Sequence, residues 1–148
     1  RILQRTVGVK SAIEFGANIG LNLKALKRLL PHIELSAIEL NPTAILALEQ
    51  QPDVKHIYKQ SILDFKPDYQ RDFVLIKTVL IHINPDKLPL VYDLLYRTSS
   101  RYVCSKGLKL DKISAGLCRH IDEAFRQIEI TVMVNAGLSD DRCPILHD

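Results

Sequence analysis

The feature that most restricts this chain is an alternation: short apolar runs of β character are separated by segments in which leucines recur at helical spacing. Strands that alternate with helices pair in parallel, since each return crossing needs a helix. The expected fold is an α/β domain built on an open, mostly parallel central sheet. The first run, residues 11–15, ends at Gly16; after Gly20, leucines at 23, 26 and 30 are interleaved with Lys24, Lys27 and Arg28 until Pro31 stops the pattern. The second run, 35–39, leads into Asn41-Pro42, where asparagine caps a helix and proline takes its first position; the helix is predicted through about Gln50. A third strand is expected at 56–58, followed by a polar loop over 61–70. Residues 73–76 form the clearest buried strand, expected to run on through 77–81 with both faces dry. Asn84-Pro85-Asp86 opens another helix, with Leu88, Val91 and Leu95 as its apolar stripe and Pro89 tolerable in the first turn. A fifth strand is expected at 101–104, then a helix over 114–126, a strand over 128–134 and a fragment of another at 143–146.

Composition removes several classes. At 148 residues, 47% of them hydrophobic, one domain over 1–148 buries a core without disulfides or a structural metal. Charges interrupt every apolar run before the roughly 18 residues of a membrane span, so no membrane partner is expected. The opening residues lack the apolar core of a secretory signal. Cys104, Cys118 and Cys143 form no Cys-x-x-Cys pair, and with His120 they fit no zinc spacing, so a reducing cytoplasm and no metal are expected. Twenty basic and 17 acidic residues leave a charge of +3 spread along the chain, without the basic tract that nucleic acid requires.

The chemistry concentrates in Glu14-Phe15-Gly16-Ala17-Asn18-Ile19-Gly20, between the first strand and the first helix. Glycine lets backbone approach a ligand closely, and the helix N-terminus offers unpaired N–H donors to an anionic group. The nicotinamide fingerprint Gly-x-Gly-x-x-Gly is absent, and an acid two residues before the turn suits a cationic amine better than a pyrophosphate. The α-ammonium of S-adenosylmethionine is such an amine. Glu39, at the end of the second strand, stands where a carboxylate accepts from ribose hydroxyls. Asp64, after the third strand, stands where it accepts from an adenine amino group, with Ile62 and Leu63 packed beside the ring. Each acid also has a plainer reading: Glu14 bonding backbone N–H groups at the strand end, Glu39 lying near the positive end of the helix dipole, Asp64 serving a polar loop.

These residues, in this order, resemble a class I S-adenosylmethionine-dependent methyltransferase, which implies a Rossmann-like α/β fold: a mostly parallel central sheet of up to seven strands with helices on both faces. More narrowly, Glu-Phe-Gly-Ala-Asn-Ile-Gly-Leu-Asn-Leu at 14–23, Glu-Leu-Asn-Pro at 39–42 and Lys-Thr-Val-Leu-Ile-His-Ile-Asn-Pro-Asp at 77–86 resemble the pseudaminic acid biosynthesis-associated methylases, over about residues 11–103. The resemblance implies that Glu14, Gly16, Ala17, Asn18 and Gly20 cradle the methionine part of the cofactor. It implies that Glu39 and Leu40 meet the ribose side, Ser61, Ile62 and Asp64 the adenine, and that Lys77, Thr78 and Val79 line the crevice from the fourth strand. The acceptor it implies is a small polar or sugar-derived molecule, a nucleotide-sugar or nonulosonate intermediate. The chain departs from the family by its short N-terminal part and its compact sequence after Cys104, where the acceptor pocket is usually built.

Methyl transfer is an in-line displacement at carbon and asks the protein chiefly to align its two substrates in a dry site. His82 is the candidate general base for a hydroxyl or protonated amine, and Lys77 the candidate for orienting an anionic acceptor; the plainer readings are a loop-capping histidine and a lysine reaching for solvent. Two rivals stand beside this enzyme: a non-catalytic S-adenosylmethionine-binding module lacking a full acceptor site, and a nicotinamide-dependent oxidoreductase.

Overall fold

The computed structural model describes residues 6–106. The chain runs β1 (Ser11–Phe15), α1 (Leu21–Leu29), β2 (Glu34–Glu39), α2 (Pro42–Glu49), β3 (Val54–Lys59), β4 (Arg71–Lys77), α3 (Leu88–Thr98) and β5 (Ser99–Lys106). Two single 3-10 turns, Leu80–His82 and Pro85–Lys87, lie between β4 and α3. All the strand pairings are parallel, in the order β3-β2-β1-β4-β5. The chain therefore works outward from β1 to β3 and then returns to β1's other edge with β4. At such a reversal the connections leave in opposite directions, the arrangement that in open α/β sheets forms a crevice beyond the C-terminal strand ends, here those of β1 and β4.

Strand alternation sends side chains to two separate cores. Ile13, Phe15, Ile38, Val74 and Ile76 pack with Val91, Leu94 and Leu95 of α3 on one face. Ala12, Leu35, Ala37, Phe73 and Leu75 pack with Leu23 and Leu26 of α1 and Leu48 of α2 on the other. All four residues 73–76 are buried, as expected of a strand covered on both sides. Each fully buried side chain of this size contributes about 1.5–3 kcal/mol of transfer free energy, so these two layers dominate the stability of the fold.

Local signals set most boundaries. The Asn41 side chain accepts from Thr43 N at 2.9 Å and Ala44 N at 3.3 Å, and Pro42 takes the first helical position. Asn84 Oδ1 accepts from Asp86 N at 3.0 Å, but what it caps is the 3-10 turn, and α3 itself begins at Leu88 with Pro89 in its first turn. The fourth strand departs further from expectation. It begins at Arg71 and ends at Lys77, because Thr78 takes a left-handed conformation (φ 59°) that turns the chain out of the sheet. Leu80 then drops into the α3-side core while Ile81 stays exposed, so the apolar run 79–81 belongs to a turn. The segments 114–126, 128–134 and 143–146, with Cys118, His120 and Cys143, lie outside the described residues. Among those described, no helix is long and apolar enough to cross a membrane.

Arg71 anchors the loop that connects β3 to β4. Its side chain is fully buried; it donates to Asp68 Oδ1 (2.5 Å), Tyr69 O (2.8 Å) and Tyr58 Oη (2.6 Å), and the Tyr69 ring lies 3.6 Å from its guanidinium carbon. A buried guanidinium is tolerable only with such partners.

Candidate ligand-binding site at the switch point

The turn after β1 is built from left-handed residues at alternate positions: Gly16 (φ 70°), Asn18 (φ 49°) and Gly20 (φ 75°). The amides of Gly16 and Ala17 both donate to Ile38 O, at 2.9 and 3.1 Å, which folds the turn back over β2. A Cβ on Gly16 would come within 2.5 Å of Val79 Cγ2, and one on Gly20 within 2.8 Å of both Gln51 Nε2 and Leu48 Cδ2. The positive φ at both positions favours glycine, and a side chain at either would also have to displace these neighbours. Asn18 holds the third position, which asparagine accepts at little cost.

Glu14 lies beneath this turn, 2% exposed. Asn22, in the first turn of α1, donates from Nδ2 to Glu14 Oε1 at 2.6 Å and accepts at Oδ1 from Lys77 Nζ at 3.4 Å. Glu14 Oε2 is buried without a partner. Burial raises the Glu14 carboxyl to about 7, and the proximity of Glu39 pushes the same way; the Asn22 bond and the Lys77 charge oppose both. A buried carboxyl with one oxygen unsatisfied and a near-neutral pKa marks Glu14 as a candidate functional group.

Glu39 is held differently. Its Oε2 accepts from Asn18 N at 2.7 Å, and its Oε1 accepts from Leu40 N at 2.9 Å and Asn41 N at 2.8 Å. Three of roughly four lone-pair directions of this carboxylate are thus engaged by backbone, leaving one on Oε2. The side chain pins the 16–20 turn to the end of β2.

The remaining predicted site residues line the same C-terminal rim of the sheet. Leu40 is exposed after β2. After β3, Ser61 shapes a small turn in which Leu63 N donates to its Oγ and Asp64 N to its carbonyl; Ile62 is buried in the α3-side core and Asp64 is exposed. After β4, Thr78 donates to Lys77 O at 2.6 Å, Val79 fills the space beside Gly16, and His82 is exposed at the end of its 3-10 turn. The fold brings Glu14 and Lys77 together through Asn22, and Asn18 together with Glu39. Among the described hydrogen bonds none joins the Asp64 or His82 side chain to them. Asn22 and Gln51 were not legible as site residues: a polar residue between two leucines at a helix start, and another just past a helix end, are ordinary in any α/β chain.

No protein-family model matches the chain, and no curated protein matches its sequence. Solved structures do. An O-methyltransferase segment named StiE O-MT aligns at a TM-score of 0.58 and 22% identity, covering 68% of this chain and 38% of that one. The sugar N-methyltransferase KedS8 from Streptoalloteichus aligns at 0.57 and 18%, covering 66% and 40%. The N-methyltransferase NodS from Bradyrhizobium japonicum, solved with S-adenosyl-L-homocysteine, aligns at 0.55 and 19%, covering 67% and 51%. The fold is a Rossmann-like methyltransferase fold. This chain spans about half or less of the length of those three methyltransferases. What they share with it is the fold.

Proposed function

We propose that this chain binds S-adenosylmethionine in the crevice beyond β1 and β4 and transfers its methyl group to a small polar or sugar-derived acceptor. The single observation that carries the reading is Glu14 Oε2, a buried carboxylate oxygen with no partner, directly beneath the turn that opens α1. An ammonium donor satisfies it, and the residues around it fit an amino acid tail. The amides at the start of α1 suit a carboxylate, and the turn carries glycine where a side chain would not fit. The free lone pair of Glu39 serves a ribose hydroxyl, exposed Leu40 offers an apolar surface beside it, and Asp64 serves the adenine amino group with Ser61 and Ile62 shaping its turn.

When bound, S-adenosylmethionine supplies a methyl group on an electrophilic sulfonium centre. The protein's own part is then placement and exclusion of water. Lys77 orients an anionic acceptor from the end of β4, with Thr78 and Val79 closing the floor, and His82 takes a proton from a hydroxyl or protonated-amine acceptor. The acceptor class rests on the three segments that resemble pseudaminic acid biosynthesis-associated methylases and points to a nucleotide-sugar or nonulosonate intermediate.

Calorimetry with S-adenosylmethionine and S-adenosylhomocysteine tests the first half: saturable binding is expected, weakened at least tenfold by Glu14→Ala through the loss of one charge-assisted bond. An unaltered titration in Glu14→Ala, or no heat in wild type, overturns it. Release of S-adenosylhomocysteine in the presence of nucleotide-sugars tests the second half.

A further inference from the structure

Gln51 stands just past the C-cap of α2, and its side chain is 8% exposed. Its amide donates both hydrogens to backbone carbonyls, Ile19 O at 2.7 Å and Ala47 O at 3.3 Å, and leaves Oε1 buried without a partner. Two carbonyl acceptors fix the orientation of this amide, because turning it over would set Oε1 against both oxygens. Ile19 lies between Asn18, whose N–H is on Glu39, and Gly20, the N-cap of α1. The Ile19–Gly20 peptide is thus held at both ends: its carbonyl by Gln51, and its N–H by Ala17 O at 2.9 Å. Ala17 O holds this peptide from within the turn through its N–H, and Gln51 adds the hold on its carbonyl from outside the turn, where a glycine at position 20 gives the backbone most freedom. The Gln51 side chain also occupies the space that a Cβ on Gly20 would need.

We propose that Gln51 is a positioning residue for the ligand turn: it locks the Ile19–Gly20 peptide and so keeps the amides at the start of α1 directed at the bound molecule. The inference rests on the S-adenosylmethionine reading of the site. It makes the end of α2 a structural support of a turn that α2 does not itself contribute to.

The test is the affinity of the full chain for S-adenosylhomocysteine in wild type, Gln51→Met, Gln51→Glu and Thr98→Ala. Gln51→Met removes both donors at similar volume, and Gln51→Glu faces two carbonyls with acceptors. Thr98→Ala removes a buried bond of 2.6 Å to Leu94 O in α3 and serves as the control for general loss of stability. Gln51→Met is expected to weaken binding about tenfold, the effect of the one lost bond that reaches the turn, to Ile19 O, with Gln51→Glu at least as weak and Thr98→Ala unchanged. Amide exchange in Gln51→Met is expected to rise over residues 16–22 and nowhere else. Should Gln51→Met fail to fold, Gln51→Asn keeps the amide but withdraws it by one methylene, and the same loss is expected. Wild-type affinity in the folded Gln51 variants overturns the inference, as does a loss no larger than that of Thr98→Ala. Wild type that does not bind S-adenosylhomocysteine overturns the underlying reading instead.

Discussion

Asn22 Nδ2 lies 2.6 Å from Glu14 Oε1, while the opposite oxygen of that carboxylate is buried with no hydrogen-bond partner among the described residues. The fold therefore carries a half-satisfied acid at the end of β1, an arrangement that costs stability.

The first consequence concerns stability. With the folded-state pKa raised from 4.5 to about 7, Glu14 contributes stability that is fully present below its unfolded pKa and lost as pH rises through about 7. Glu14→Gln is expected to match wild type near pH 4 and to exceed it at pH 8 by up to about 3 kcal/mol, the equivalent of the shift. Urea unfolding of both proteins at the two pH values checks this, and a difference independent of pH refutes it.

The second concerns binding. Only the ionised carboxylate attracts an ammonium group, so wild-type affinity for S-adenosylhomocysteine is expected to be about tenfold weaker at pH 6 than at pH 8. Asn22→Leu removes the bond that favours the charged form and moves this dependence to higher pH. Titrations across pH 5.5–9 show whether the midpoint moves; Glu14→Gln is expected to give a flat profile.

Arg71 and Asp68 supply a prediction about order rather than size. Burial pushes the Asp68 carboxyl up, but the Tyr58 and Arg71 hydrogen bonds outweigh it and bring it down to about 2. Asp68→Ala strands a buried guanidinium and is expected to cost about 2 kcal/mol, discounted because Asp68 itself is partly exposed. Adding Arg71→Met to it is expected to restore stability, since the stranded charge is gone. Chemical denaturation of the single and double variants decides, and a double variant weaker than Asp68→Ala would contradict the account.

Thr78 is a β-branched residue in the left-handed region, at the point where β4 ends. Thr78→Gly is expected to raise the unfolding free energy by about 1 kcal/mol through relief of that strain. A lower melting temperature in Thr78→Gly would show that the hydroxyl's bond to Lys77 O matters more than the backbone.

Sequence by itself determined the parallel α/β architecture, because an apolar period of two or of 3.6 is written in consecutive residues. Asn41-Pro42 likewise started α2 where a side-chain cap and a fixed φ require it. The turn at 14–20 was legible for the same local reason: glycines and an acid at a strand end are adjacent in the chain. Tertiary structure alone decided where β4 stops, since Val79 to Ile81 are as apolar as any strand, and only a left-handed Thr78 with Leu80 in the core distinguishes a turn. It alone joined Asn22 to Glu14 and Lys77, and Gln51 to Ile19 across 32 residues. It alone also turned Glu39 toward three backbone amides. Hydrogen bonds of this kind depend on distance and direction between elements, and those quantities exist only once the two cores have packed.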